Sequence, residues 1–149
     1  MAYATPITPT IGAEIQGLDL GRQFDATTKA WVAEQLVQHK VIFFRDQDID
    51  YASHLRLGRL FGELEGHPVI PHVEGYPAIA QVVKEPEQQG NIGGYWHTDH
   101  SYDQSPALGS MLLARQVPPM GGDTLFASCT RAYASLSKGM QEMLIMFLQ

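Results

Sequence analysis

Between Ile7 and Leu20, β-forming residues are interrupted by Pro9, Gly12 and Gly17, with Gly21 just after, a mixture that predicts short strands joined by turns. Asp25 then stands where a helix cap is needed. Behind it Ala30, Ala33, Leu36 and Val37 share one face at helical spacing, so a helix is expected to run to about His39. Lys40 leads into the apolar run Val41-Ile42-Phe43-Phe44, which reads as a buried strand. Asp48 or Asp50 can cap a second helix carrying Leu57, Leu60, Phe61 and Leu64, which Gly66-His67-Pro68 would break.

The second half of the chain alternates loops with strand candidates. Ile79 to Val83 is a short strand candidate, and Lys84 to Gly94 is polar and glycine-rich, the composition of a surface loop. Trp96 to Tyr102, Ala107 to Arg115 and Thr124 to Ala127 are further strand candidates, separated by Ser105-Pro106 and Pro118-Pro119-Met120-Gly121-Gly122. Ala132 to Leu136 and Met140 to Leu148 read as helices. Met140, Met143 and Met146 form a packing or interface stripe on the second. That last apolar face has no cap after it, and Gln149 is a poor closing residue, so the chain is expected to be the front portion of a longer one.

Composition narrows the class. The chain has 149 residues, 44% of them hydrophobic and 17% charged, which suits one globular domain and argues against disorder. Sixteen acidic against ten basic residues give a net charge of −6. With no cluster of Lys and Arg, that balance argues against nucleic acid as a partner. The single cysteine, Cys129, cannot form an internal disulfide, and the first residues lack the basic start and apolar run of a signal peptide, so the cytoplasm is the expected compartment. No apolar run approaches the roughly 18 residues that cross a bilayer, which points away from a membrane.

The candidate chemistry concentrates in Trp96-His97-Thr98-Asp99-His100-Ser101-Tyr102. In an extended segment His97 and Asp99 project from the same face, so an imidazole nitrogen and a carboxylate oxygen can reach one metal ion. A His-x-Asp arises by chance in roughly a third of chains of this composition, and an exposed histidine beside a turn aspartate that binds nothing explains the tripeptide equally well. The donor types suit a borderline divalent ion. Two histidines and one carboxylate with open positions form the facial triad of non-haem Fe(II) oxygenases, of which this segment would supply two members.

Several stretches, in order, resemble the TauD/TfdA family of Fe(II)- and 2-oxoglutarate-dependent dioxygenases. They are Ile11-Gly12-Ala13-Glu14-Ile15 with Gly17 and Asp19-Leu20; Val41 to Gln47; Phe61-Gly62-Glu63-Leu64; His67-Pro68; Trp96-His97-Thr98-Asp99; and Gly121-Gly122-Asp123-Thr124-Leu125. The resemblance covers nearly the whole chain. It implies an α+β, mostly β fold: a double-stranded β-helix, or jelly roll, with flanking helices, of which residues 1–149 would be the amino-terminal part of one domain. It implies His97 and Asp99 as iron ligands, and Thr124 as a hydroxyl on a carboxylate of 2-oxoglutarate. His67 resembles the histidine that contacts substrate in the taurine enzymes, and His100 would border the same pocket.

The implied reaction consumes 2-oxoglutarate and O2, releases succinate and CO2, and hydroxylates a small anionic organic acid of the sulfonate or aryloxy or alkyl carboxylate class. A homo-oligomer is expected for the full-length protein. Two departures argue against taurine itself: Ile70 stands where the taurine enzymes have a tyrosine, and His100 replaces a small apolar residue. The asparagine of those enzymes is not clearly reproduced, because Gly93 and Gly94 occupy that stretch and Asn91 lies earlier. The family's third iron ligand and its oxoglutarate-clamping arginine fall beyond position 149. Two other readings remain open at this point: a catalytically incomplete binding or assembly module with half a metal site, and a Zn(II) hydrolase using the same His-x-Asp edge.

Overall fold

The computed structural model describes residues 1–147. In chain order the elements are β1 (Tyr3–Pro6), β2 (Ala13–Gln16), α1 (Ala26–His39), β3 (Ile42–Phe43), α2 (Tyr51–Gly58), β4 (His72–Val73), β5 (Tyr76–Ala80), α3 (Cys129–Ala134) and α4 (Lys138–Met146). They fall into two compact units. Among the described residues the first comprises 1–19, 24–47 and 118–147, and the second 20–23 and 48–117.

In the first unit β1 pairs antiparallel with β2, and β2 pairs parallel with β3. The turn between β1 and β2 is closed by the Ile7 N–H on the Gly12 carbonyl at 2.9 Å, and the Thr8 hydroxyl donates to the Ile11 carbonyl at 2.6 Å. Parallel neighbours need a crossover, and α1 provides it. The helix starts at Asp25, whose carboxylate accepts the Thr28 N–H at 2.7 Å, and stops at Lys40, which takes the left-handed conformation (φ 68°) and donates its N–H to the Leu36 carbonyl. The Ala13 N–H then bonds the Val41 carbonyl at 3.0 Å, tying β2 to the residue after the helix. Ala13 and Ile15 alternate inward from β2 and, with Val32 of α1, form this unit's core.

The second unit is smaller in secondary structure. Asp50 caps α2 through the Ser53 N–H at 2.7 Å, α2 packs on β5, and the Tyr51 and Tyr76 rings stand 5.1 Å apart. Ile49, Leu57 and Ile79 are buried here.

Several expectations are revised. The first strand lies at Tyr3–Pro6, ahead of Ile7, and β5 ends at Ala80, short of Val83. Ile42–Phe43 is a two-residue strand and only half-buried, since it pairs on one side with β2 alone. The second helix ends at Gly58: Leu60 and Phe61 continue only as tight turns, on the carbonyls of Leu57 and Gly58. Leu64 folds back so that its Cδ2 lies 2.7 Å from where a Cβ on Gly58 would stand, and a longer helix would carry Leu64 away from that contact. The stretches 96–102, 107–115 and 124–127 form no strand. An extended segment becomes a strand only when a neighbour takes up its N–H and C=O groups, and among the described residues none pairs with these. The two helices near the carboxyl end are observed with shifted bounds, α3 starting at Cys129 and ending at Ala134, short of Leu136, and α4 starting at Lys138 and ending at Met146, while Leu148 and Gln149 lie outside the described residues.

The two cap aspartates make the helices sensitive to acid. Asp25 and Asp50 are held below the ordinary carboxyl value of 3.8, first because each accepts a backbone N–H, from Thr28 and Ser53 respectively. A lowered folded value stabilises above the unfolded one and is lost as pH falls through it. Helix content measured by circular dichroism is therefore expected to drop below about pH 4. The Asp25→Asn variant, which keeps an acceptor and removes the charge, should weaken that dependence; an unchanged acid limb would show that the cap does not carry it.

Candidate metal centre

The chain from Tyr95 to Asp103 lies in the second unit and is irregular, bending at Asp99–His100 and turning at Ser101–Tyr102. His97 and Asp99 meet without the alternation of a strand: His97 Nε2 lies 3.2 Å from Asp99 Oδ1. Each side chain is held from behind. His97 Nδ1 is 2.7 Å from the Tyr95 carbonyl, and because a carbonyl only accepts, that nitrogen carries a proton and Nε2 is the one left to face Asp99. Asp99 Oδ2 accepts the Ser110 hydroxyl at 2.9 Å, leaving Oδ1 turned toward the imidazole. A lone pair facing a carboxylate oxygen at this distance is repulsive unless a cation lies between them, either a second ring proton or a metal ion.

The pair passes a simple fit test for a divalent ion. Two donors at roughly 2.1 Å from one ion, in adjacent positions, stand about 3 Å apart, close to the separation found. An imidazole whose other N–H is held by a carbonyl is the usual outer arrangement of a metal-binding histidine. Both side chains are more than half exposed, so an ion there would keep open positions. Among the described residues no group of three or more His, Cys, Asp or Glu side chains could hold a metal, so the edge supplies two donors.

His67 and His100 also come together in this unit. His67 Nδ1 accepts the N–H groups of Val69 and Ile70 at 3.2 and 2.9 Å, which places its proton on Nε2. That nitrogen faces His100 Nε2 at 3.4 Å, with the rings edge to face. His100 Nδ1 in turn faces Asp103 Oδ2 at 3.3 Å and the Tyr102 hydroxyl at 3.4 Å. Strand alternation would set His100 on the face opposite Asp99, but His100 is left-handed (φ 45°). A non-glycine residue there costs about 1–2 kcal/mol, and the resulting bend is what brings its ring to His67.

Thr124 lies in the first unit and is exposed. Its segment is anchored by Phe126, whose ring stands edge-on to Phe43 of β3 at 6.0 Å. His54, a half-buried residue of α2, bonds the Met111 carbonyl through Nε2 at 3.3 Å, and burial lowers its pKa from 6.5. It holds the 107–115 stretch rather than a metal.

Three contributors escaped the sequence reading. Ser110 sits eleven residues past Asp99, with no motif to mark it. Asp103 orients His100 across one turn, a spacing too common to single out. At Gly93 (φ +71°) an added Cβ would lie 3.1 Å from His97 Cε1; the glycine leaves the ring its place, and the only signal was its position in the Gly93-Gly94 pair.

Helices beside small sheets, with a loop-borne imidazole–carboxylate pair, define the chain as a candidate metalloprotein of mixed α and β structure. It belongs to the family described as taurine catabolism dioxygenase TauD, TfdA, whose profile matches residues 4–146. An alpha-ketoglutarate-dependent sulfate ester dioxygenase of Pseudomonas putida is 36% identical over 139 residues, covering 93% of this chain and 45% of that protein. An alpha-ketoglutarate-dependent 2,4-dichlorophenoxyacetate dioxygenase of Cupriavidus pinatubonensis is 29% identical, over 93% of this chain and 54% of that one. A taurine dioxygenase structure from Burkholderia xenovorans superposes with a TM-score of 0.74 at 30% identity, covering 95% of this chain and 50% of that one. The chain thus spans about half the length of the relatives it matches. No helix among the described residues is long and apolar enough to cross a membrane.

Proposed function

We propose that this chain is part of an Fe(II)- and 2-oxoglutarate-dependent dioxygenase that hydroxylates a small anionic organic substrate of the sulfonate, sulfate ester or aryloxy or alkyl carboxylate class. The observation that carries the reading is the His97–Asp99 edge, with each donor oriented by its own outer hydrogen bond. Family membership supports the chemistry. When bound, the iron and its 2-oxoglutarate co-substrate supply the oxidising chemistry that the side chains lack.

The residues divide the work. His97 Nε2 and Asp99 Oδ1 would hold the metal, and the Tyr95 carbonyl and Ser110 hydroxyl keep them aimed before it arrives. The Thr124 hydroxyl would donate to a carboxylate of 2-oxoglutarate, since a bound carboxylate needs hydrogen-bond partners as well as a counter-charge. His67 presents Nε2–H with its other nitrogen saturated by backbone amides, so it can act only as a donor toward an anionic substrate group. His100, oriented by Asp103 and facing His67 through Nε2, would border the same pocket. We read residues 1–149 as the amino-terminal part of a single double-stranded β-helix domain.

The test is an anaerobic titration with Fe(II), with and without 2-oxoglutarate, followed in the visible region. A metal-to-ligand charge-transfer band that requires both additions is the expected result. A folded sample that gives no band would assign the chain to the incomplete-module reading.

A further inference from the structure

Among the described residues the stretch 104–117 makes no backbone–backbone hydrogen bond, and none of its residues is buried. A segment with neither a ladder nor a core behind it is placed by its side-chain contacts. The Ser110 hydroxyl donates to Asp99 Oδ2 at 2.9 Å, His54 Nε2 lies 3.3 Å from the Met111 carbonyl, and the Arg115 guanidinium stands 5.1 Å from the centre of the Tyr51 ring. Because a carbonyl only accepts, His54 Nε2 is the donor of its pair. Both helical partners are themselves fixed. The His54 N–H bonds the Asp50 carbonyl at 2.9 Å in the first turn of α2, and the Tyr51 ring also rests against Tyr76 of β5. Three positions apart, Tyr51 and His54 lie on one face of the helix.

We propose that His54 is a positioning residue for the metal edge: it holds the Met111 carbonyl and, through the adjoining Ser110, aims the Asp99 carboxylate. The role rests on the reading of His97 and Asp99 as the metal site given above. Ser110 immediately precedes Met111, so the tie to α2 falls within one residue of the hydroxyl that orients Asp99. A donor pair works only when it is held within about 0.5 Å of its productive geometry. On an untethered stretch the serine would sample many positions, and each bond to the carboxylate would cost the ordering of the backbone around it. With the His54 bond made, that ordering is in place before an ion arrives, Asp99 Oδ2 is occupied and Oδ1 is left to face His97. The tie uses an N–H donor and not a charge, so a neutral amide of similar reach can replace it. The Arg115 contact lies farther along the chain and fixes the far end of the stretch.

The experiment measures the Mn(II) affinity of the full chain, from the paramagnetic resonance signal of the free ion, for the unaltered protein, His54→Phe, His54→Gln, Ser110→Ala and the double variant His54→Phe/Ser110→Ala. Urea midpoints check that each one folds. His54→Phe keeps a ring and removes the donor; it is expected to weaken Mn(II) binding about three- to tenfold, and no more than Ser110→Ala does. His54→Gln restores an N–H and should return most of the affinity. The double variant should bind as Ser110→Ala alone does, because residues that act through one another are not additive. If His54→Phe fails to fold, His54→Ala, which favours the helix, is measured in its place. A loss that adds to that of Ser110→Ala, or that glutamine does not restore, marks a merely structural histidine and overturns the role. Unchanged affinity in His54→Phe, with Ser110→Ala weakened, also overturns it and leaves the metal edge standing. An unaltered chain that binds no Mn(II) overturns the edge itself, and the positioning role with it.

Discussion

Replacing His97 with alanine is expected to lower the affinity of the chain for Fe(II) about 100-fold or more and to abolish any charge-transfer band formed with 2-oxoglutarate. The expectation follows from counting donors. His97 Nε2 and Asp99 Oδ1 are the two that face one point, and losing either leaves a lone side chain no better than any other on the surface. Removing a group that only orients a ligand costs about 10- to 100-fold, so Ser110→Ala should fall near the lower end of that range, because Asp99 keeps its charge and loses only its aim. Isothermal calorimetry with Fe(II) or Mn(II) reads all three proteins without any need for turnover. If His97→Ala and Ser110→Ala bound metal as the unaltered chain does, the edge would not be the site.

Replacing Leu57 with alanine is expected to destabilise the second unit by about 2–4 kcal/mol. Leu57 is 3% exposed, the most buried side chain of α2, and α2 packs on β5. With only Leu20, Ile49 and Ile79 as further buried apolar side chains among that unit's described residues, the surroundings have little material with which to refill a cavity. Domain stabilities are about 5–15 kcal/mol, so the loss should appear as a large fall in the urea midpoint. Leu60→Ala is the control: Leu60 lies past the helix end and is only half-buried, and its midpoint should move far less. Equal shifts for the two would refute the packing described for α2.

What could be read from the chain before its structure was local. Asp25 and Asp50 are short acceptors placed just ahead of periodic apolar residues, and both cap the helices they foretell. Capping is decided by neighbours within one turn, so it is visible in sequence. Strand formation depends on partners that sequence order does not supply, which is why 96–102, 107–115 and 124–127 looked extended and yet pair with nothing described. The same limit applies at the site. The alternation of a strand points to His97 and Asp99, and they meet instead in an irregular stretch just ahead of the bend at the left-handed His100, with Gly93 leaving the His97 ring its place. His67 and His100, 33 positions apart, could be grouped by resemblance only, and their contact at 3.4 Å depends on that same bend. Ser110 had no signal at all, since a serine that aims a carboxylate looks like any other serine.

Trp96, 71% exposed, stands immediately before His97, and the chain has one other tryptophan, Trp31, which lies on α1 in the first unit. The protein therefore carries an indole fluorophore next to the very edge that would receive a paramagnetic ion, and a second one elsewhere that is removable by a phenylalanine. Occupancy of the edge can be followed as emission from a single native chromophore, in plain buffer, with no dye attached and no co-substrate consumed.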